Sequence, residues 1–220
     1  MAFTTINNSW GIVPADDDST IYKFRCQYGF LSNMKCCSIS INNQVWTSSE
    51  SLYQAISLSR DYFKDPGLYT KIILEINKAS AFGSKILAKQ YPKRNDWNKV
   101  KEIVMYEVVR LKFFQNATLA EVLLDTKDKL IIEGNYWHDN YWGQCFCGSC
   151  KEKYGHNYLG IILMSIRDLL LEHVKQHADM NKDLDIVHCL EGFEKNNRIF
   201  PEKFVKHLDL LYVPLVQSES

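Results

Sequence analysis

Apolar positions recur along this chain at two spacings, and the change from one to the other divides it. Near the start, "IYKFR" (21–25) alternates and predicts a strand. "SISINNQVW" (38–46) places Ile39, Ile41 and Val45 around Asn42-Asn43. Paired asparagines tolerate positive φ, so this stretch predicts a β-hairpin.

From residue 47 a helical period takes over. Thr47 and Glu50 in "TSSESLYQAISLSRDYF" match a capping box and predict a helix to about residue 62. Asp65-Pro66 opens the next helix as N-cap and first turn. "SAFGSKILAKQ" predicts a short one interrupted by Gly83. The clearest runs over 95–116, where Val100, Ile103, Val104, Val108 and Leu111 form one stripe. "ATLAEVLLDT" predicts a short helix and "KLIIEG" a strand. A long helix over 157–175 then carries Leu159, Ile162, Leu163, Ile166 and Leu170. The pattern weakens afterwards, with "PEKFVKHLDLL" reading as one more helix. The expected class is α+β, predominantly helical, with an N-terminal β-hairpin and a few short strands. Residues 1–20 read as an arm, 21–175 as the domain and 176–220 as an extension.

Composition narrows the functional classes. Lysine plus arginine and aspartate plus glutamate both number 26 in 220 residues. That balance argues against a protein held to nucleic acid by bulk charge, while leaving room for a local basic pocket. No apolar run approaches the roughly 20 residues of a membrane helix. The first 20 residues have neither a basic n-region nor an apolar core, so no secretion signal is expected. Seven cysteines without a regular framework then favour reduced thiols and a cytoplasmic location.

Candidate chemistry sits in three places. Glu50, Tyr53, Gln54 and Ser57 share one helix face, with Leu52, Ala55 and Ile56 expected toward the core. Glu50 reads either as a capping carboxylate or as an acid able to hold and protonate a polar heterocycle. Asp139, between Trp137 and Trp142, reads either as an Asx-turn or as a carboxylate whose proton affinity is raised by neighbouring rings. Cys145, Cys147 and Cys150 form C-x-C-x-x-C, with His138 or His156 as fourth ligands to a structural zinc. The other reading makes that loop the lip of a small-molecule site. Lys112, ahead of Phe113-Phe114, is by default a solvated helical lysine; desolvated, it would be a nucleophile. Trp97 is a core anchor or a stacking plate.

Five segments in order carry a resemblance. They are "YGFLSNM" (28–34), "VWTSSESLYQA" (45–55), "RNDWNKVKEIVMYEVVRLKFFQN" (94–116), "DNYWG" (139–143) and "GHNYLGIILMSIRDLL" (155–170). Together they resemble the YbiA-like proteins, also called NADAR for their link to NAD and ADP-ribose. The resemblance implies an N-glycosidase that cuts between a ribose carbon and an exocyclic amine. It implies as substrates ribosylamino-pyrimidine phosphates of riboflavin synthesis, or ADP-ribose on guanine, free or in nucleic acid. It also implies no cofactor. The residues of this chain that match the motifs are Asn33, Glu50, Gln54, Trp97, Lys112, Asp139, Trp142, Gly143 and Asn157, to which the shared helix face adds Tyr53.

On that resemblance Glu50, Asp139 and Lys112 are the expected catalytic groups. Asn33, Tyr53, Gln54, Trp97, Trp142, Gly143 and Asn157 are expected to bind substrate. One departure stands out: a family Gly-Arg pair, an obvious phosphate grip, corresponds here to Ser84-Lys85. A non-catalytic ADP-ribose sensor is the rival reading, and a zinc-dependent interaction module a third. Nothing in the sequence speaks to oligomeric state.

Overall fold

The computed structural model describes residues 13–150 and 155–180. In chain order its strands are β1 (Thr20–Ile21), β2 (Cys36–Ile41), β3 (Gln44–Ser48), β4 (Leu130–Ile131), β5 (Gly134–Asn135) and β6 (Gln144–Cys145). Its α-helices are α1 (Ser49–Ser57), α2 (Pro66–Lys78), α3 (Ala81–Ala88), α4 (Trp97–Phe114), α5 (Ala117–Leu124) and α6 (Tyr158–Met180). Short 3₁₀ turns cover Cys26–Leu31 and Arg60–Tyr62. The class is α+β and mainly helical, as the periodicity predicts.

Two compact units divide these elements. Among the described residues, one comprises 33–125 and 166–180, the other 13–32, 126–150 and 155–165. In the first, the β2–β3 hairpin turns on Asn42 and Asn43 at φ 50° and 61°, the left-handed geometry their sequence predicts. Helix α1 packs against α2, α3, α4 and β3 at once. All nine of its residues are therefore buried, Glu50 and Gln54 among them. The expected division into a core face and an open polar face does not hold.

The capping box is also displaced by one residue. Ser48, not Thr47, is the N-cap, and its hydroxyl accepts from the Ser51 amide at 3.1 Å. This frees the Glu50 carboxylate from capping. At α2 the Asp65 carboxylate accepts from the Gly67 amide, as predicted. Gly83 lies inside α3 without interrupting it. On α4 the predicted stripe is only partly right: Val104 and Val108 are buried, whereas Val100, Ile103 and Leu111 are half-buried. The missing area is supplied by Met105, Val109, Phe113 and Phe114. A buried Glu107–Arg110 ion pair at 2.9 Å accompanies them.

The second unit is built from two-residue parallel pairings. β1 pairs with β4 and β5 with β6. The strand predicted over 21–25 survives only at Ile21, because a 3₁₀ turn begins at Cys26. Residues 13–19, expected as part of an arm, are docked. Val13 is buried, and the Asp16 carboxylate accepts from the Tyr22 and Lys23 amides at 2.6 and 3.0 Å. The apolar positions predicted for α6 are all buried: Leu159, Ile162 and Leu163 in this unit, Ile166 and Leu170 in the other. The weak helix predicted near 201–211 lies outside the described residues.

The corrected cap is testable. Ser48→Ala should destabilise the protein by about 0.5–2 kcal/mol, with Thr47→Ala costing distinctly less, both read from urea unfolding midpoints. The reverse order would restore the Thr47–Glu50 capping box.

Candidate functional site

Glu50 occupies the first turn of α1 and is only 6% exposed. Its Oε1 accepts from Gln54 Nε2 at 2.8 Å, the i,i+4 pairing that one helical turn permits. Its amide donates to the Asn33 carbonyl at 3.1 Å, which ties the "SN" element to the helix start. Asn33 is itself buried. Its Nδ2 donates to Met105 Sδ at 3.2 Å, and its Oδ1 has no hydrogen-bond partner among the described residues. Other buried side-chain atoms, Trp46 Nε1 and Ser49 Oγ among them, are likewise without a partner among the described residues.

Two lysines face this carboxylate. Lys85 Nζ lies 3.9 Å from Glu50 Oε1. Lys93, which the sequence reading missed, places Nζ 3.3 Å from Ser57 Oγ and 5.0 Å over the Trp97 ring. Desolvation pulls its ammonium below the ordinary lysine value, with the Glu50 charge acting in the opposite sense. The place of Lys93 before α4, paired with Leu58 in an isolated antiparallel bridge, is a tertiary arrangement with no local sequence signal. Tyr53 and Trp97 are buried against each other with ring centroids 5.0 Å apart. Asn33, Glu50, Tyr53, Gln54 and Trp97 thus lie in one unit, on helix α1 or in contact with it.

Lys112 belongs to the same unit and overturns the solvated default. It is fully buried on α4, with Nζ 5.0 Å from the Phe113 ring centre. Burial brings its pKa down to about 7, opposed by Cys37 and reinforced by Lys35. Burial thus favours the neutral amine over the ammonium at this position.

The other predicted residues gather in the second unit, where backbone bracing accounts for most of them. Asp139 forms the Asx-turn: Oδ1 accepts from the Tyr141 and Trp142 amides at 3.0 and 2.9 Å. Asn135 clasps the same residue, donating to its carbonyl at 2.7 Å and accepting from its amide at 3.2 Å. The segment after Asp139 then caps α6. Carbonyls of Asn140, Gly143, Tyr141 and Trp142 accept from the amides of His156, Asn157, Tyr158 and Leu159 at 2.8–3.3 Å. The amides that a helix start leaves unpaired are met by this loop.

Asn157, at φ 51°, accepts from the Glu133 amide at 2.9 Å and donates to the Ile131 carbonyl at 2.8 Å. Both ends of its side chain are engaged by backbone. Gly143 is required by close approach, since a Cβ there would collide with the Glu133 carbonyl. Trp142 is half-buried, edge-on to Tyr141 at 5.1 Å. The cysteines converge with His138, not His156: one ligand atom from each of His138, Cys145, Cys147 and Cys150 lies within 4.8 Å of the others. Cys147 is held down to about 6 by the Ser149 hydroxyl and by its neighbouring thiols.

Comparison with known proteins places these motifs. The NADAR domain family model matches residues 21–171. An N-glycosidase of Nostoc punctiforme is 37% identical over 149 residues, covering 67% of this chain and 88% of that one. A riboflavin biosynthesis protein of Vibrio vulnificus is 38% identical over 148 residues, 66% of this chain. The chain spans only 36% of that relative's length. The NMR structure of Escherichia coli YbiA matches with a TM-score of 0.56 and 31% identity, over 73% of this chain and 90% of YbiA. Among the described residues no helix is long and apolar enough to cross a membrane.

Burial of Lys112 predicts a pH-dependent stability. The unfolded chain keeps that proton up to the ordinary value of 10.5, while the folded chain releases it at about 7. Between pH 7 and about 8.5, below ordinary thiol titration, the unfolded state binds more protons. Stability should therefore rise with pH by up to about 1.4 kcal/mol per unit. Lys112→Met should remove that contribution and leave the part of the slope due to Cys147, measured by chemical denaturation across the window.

Proposed function

The chain belongs to the NADAR domain family, and from that premise we propose that it is an N-glycosyl hydrolase that breaks the bond between ribose C1′ and an exocyclic amine. The observation that carries the reading is the Glu50 carboxylate, buried yet free of capping and held by Gln54 beside the unsatisfied Asn33 Oδ1. A carboxylate with one oxygen oriented and little water around it is suited to deliver a proton to a departing nitrogen. Asn33 and Gln54 supply polar contacts, and the Tyr53–Trp97 pair walls the base.

Two substrate classes suit this arrangement. One is the ribosylamino-pyrimidine phosphates, a choice supported by the riboflavin biosynthesis protein among the relatives. The other is ADP-ribose on guanine, as free nucleotide or in nucleic acid. Both carry phosphate, and Lys85 and Lys93 beside Glu50 offer two point charges in place of a guanidinium fork.

The nitrogen lone pair of such a glycoside can open the ribose to a C1′ imine, which sets two routes. In one, Glu50 protonates the leaving amine, and water adds to an oxocarbenium-like carbon. In the other, the neutral Lys112 amine adds to C1′ and expels the base amine. Water then hydrolyses the resulting lysine imine and returns the amine.

Glu50→Gln, which preserves the Gln54 contact in shape, should lower turnover about 10²–10⁴-fold with the fold intact by circular dichroism. Product mass after incubation with both substrate classes identifies the base released. Near-normal turnover in the variant would overturn Glu50 as the acid. Tight ADP-ribose binding with no base release from any substrate would make the protein a sensor. Borohydride under turnover should trap an adduct on Lys112 if the imine route operates; its absence would leave the direct route.

A further inference from the structure

The cluster of His138, Cys145, Cys147 and Cys150 takes no part in the glycosidase reading. The three thiols form a buried group of their own, 2%, 6% and 6% exposed. His138 turns toward them from a left-handed backbone at φ 69°, a conformation that a β-carbon disfavours. Its Nδ1 lies 3.3 Å from Cys147 Sγ and 3.4 Å from Cys150 Sγ. In a tetrahedral zinc site with Zn–S of about 2.3 Å and Zn–N of about 2.0–2.1 Å, adjacent nitrogen and sulfur ligands stand roughly 3.5–3.6 Å apart and adjacent sulfurs about 3.8 Å. The observed nitrogen–sulfur edges fall about 0.1–0.3 Å short of that spacing.

Backbone contacts prearrange the sulfurs. The Cys150 amide donates to the Cys147 carbonyl at 3.0 Å, closing the C-G-S-C turn. The Cys145 amide donates to Asn140 Oδ1 at 2.9 Å, and the Phe146 amide to the Asn135 carbonyl at 2.7 Å. No pair of these thiols is joined as a disulfide. A single such bond would in any case leave the third sulfur and the imidazole without a task. Three thiolates and one imidazole, all from protein, make a closed set with no position for water, which is the form of a structural site.

We propose that His138 Nδ1, Cys145, Cys147 and Cys150 bind one structural zinc ion. Binding converts three thiols to thiolates and releases three protons to solvent, while the histidine keeps its proton on Nε2. The ion clasps both ends of the 138–145 segment, whose middle carbonyls cap α6 and whose Asp139 forms the Asx-turn. Zinc here is a brace for that loop and is independent of which bond the enzyme cuts.

Untagged full-length protein, purified under reducing conditions without added metal, should contain one zinc per chain by plasma mass spectrometry. Cys147→Ser and Cys150→Ser should fall well below stoichiometry, while Cys26→Ser, at an exposed thiol, keeps the metal. Should those variants fail to fold, wild-type protein exchanged with cobalt(II) decides. The intense thiolate-to-cobalt charge-transfer band and tetrahedral ligand-field bands support the site. Metal-free protein that yields no such spectrum overturns it. So does iron as the resident metal, or zinc retained in folded Cys147→Ser.

Discussion

The Glu50 carboxylate is buried on a helix that has no exposed face, and the surrounding architecture follows from keeping it there. A charge taken from water must be met by hydrogen bonds or opposite charge. Here Gln54 one turn along α1 supplies the first and Lys85 the second. The Asn33 carbonyl receives the Glu50 amide, so the helix start is tied to the preceding loop from outside the hairpin. Ser48 takes over capping, which leaves the Glu50 side chain available. Had Glu50 been the cap partner, the same residue would have been turned back on its own backbone.

Lys112 shows the same economy of water exclusion from the cationic side. Its burial on α4 brings the ammonium toward neutrality, and Lys93 is pulled in the same direction. Burial is the leading cause in both, and it favours the neutral amine over the ammonium. In Lys112 the low dielectric is the dominant cause, outweighing the Cys37 charge that acts in the opposite sense.

Elements were legible where local physics decides them. The Asn42-Asn43 turn, the Asp65 cap and the apolar face of α6 each follow from a few neighbouring residues. Burial was not legible where tertiary packing decides it. α1 reads as amphipathic, yet α2, α3, α4 and β3 close around it. The strand over 21–25 is cut short by a 3₁₀ turn that alternation does not reveal. Lys112 looks like any helical lysine, since nothing in its flanking residues states that solvent is absent. Lys93 was missed because its partners Ser57 and Trp97 lie on different helices.

Residues that share a sequence motif need not share a task, and counting their satisfied polar atoms separates them. Asn157 has both side-chain atoms engaged by backbone, and Asp139 Oδ1 holds two turn amides. Gly143 is needed because nothing larger fits against Glu133. These residues give the "DNYWG" and "GHNYLG" segments their mutual register, through which the loop carbonyls reach the first amides of α6. Asn33, by contrast, keeps a buried oxygen unpaired, although an unmet buried acceptor is destabilising by about 1–3 kcal/mol. Full engagement by backbone marks the bracing residues, whereas an unmet atom, which Gln44 Nε2 and Trp46 Nε1 share with Asn33 Oδ1 among the described residues, assigns no task by itself.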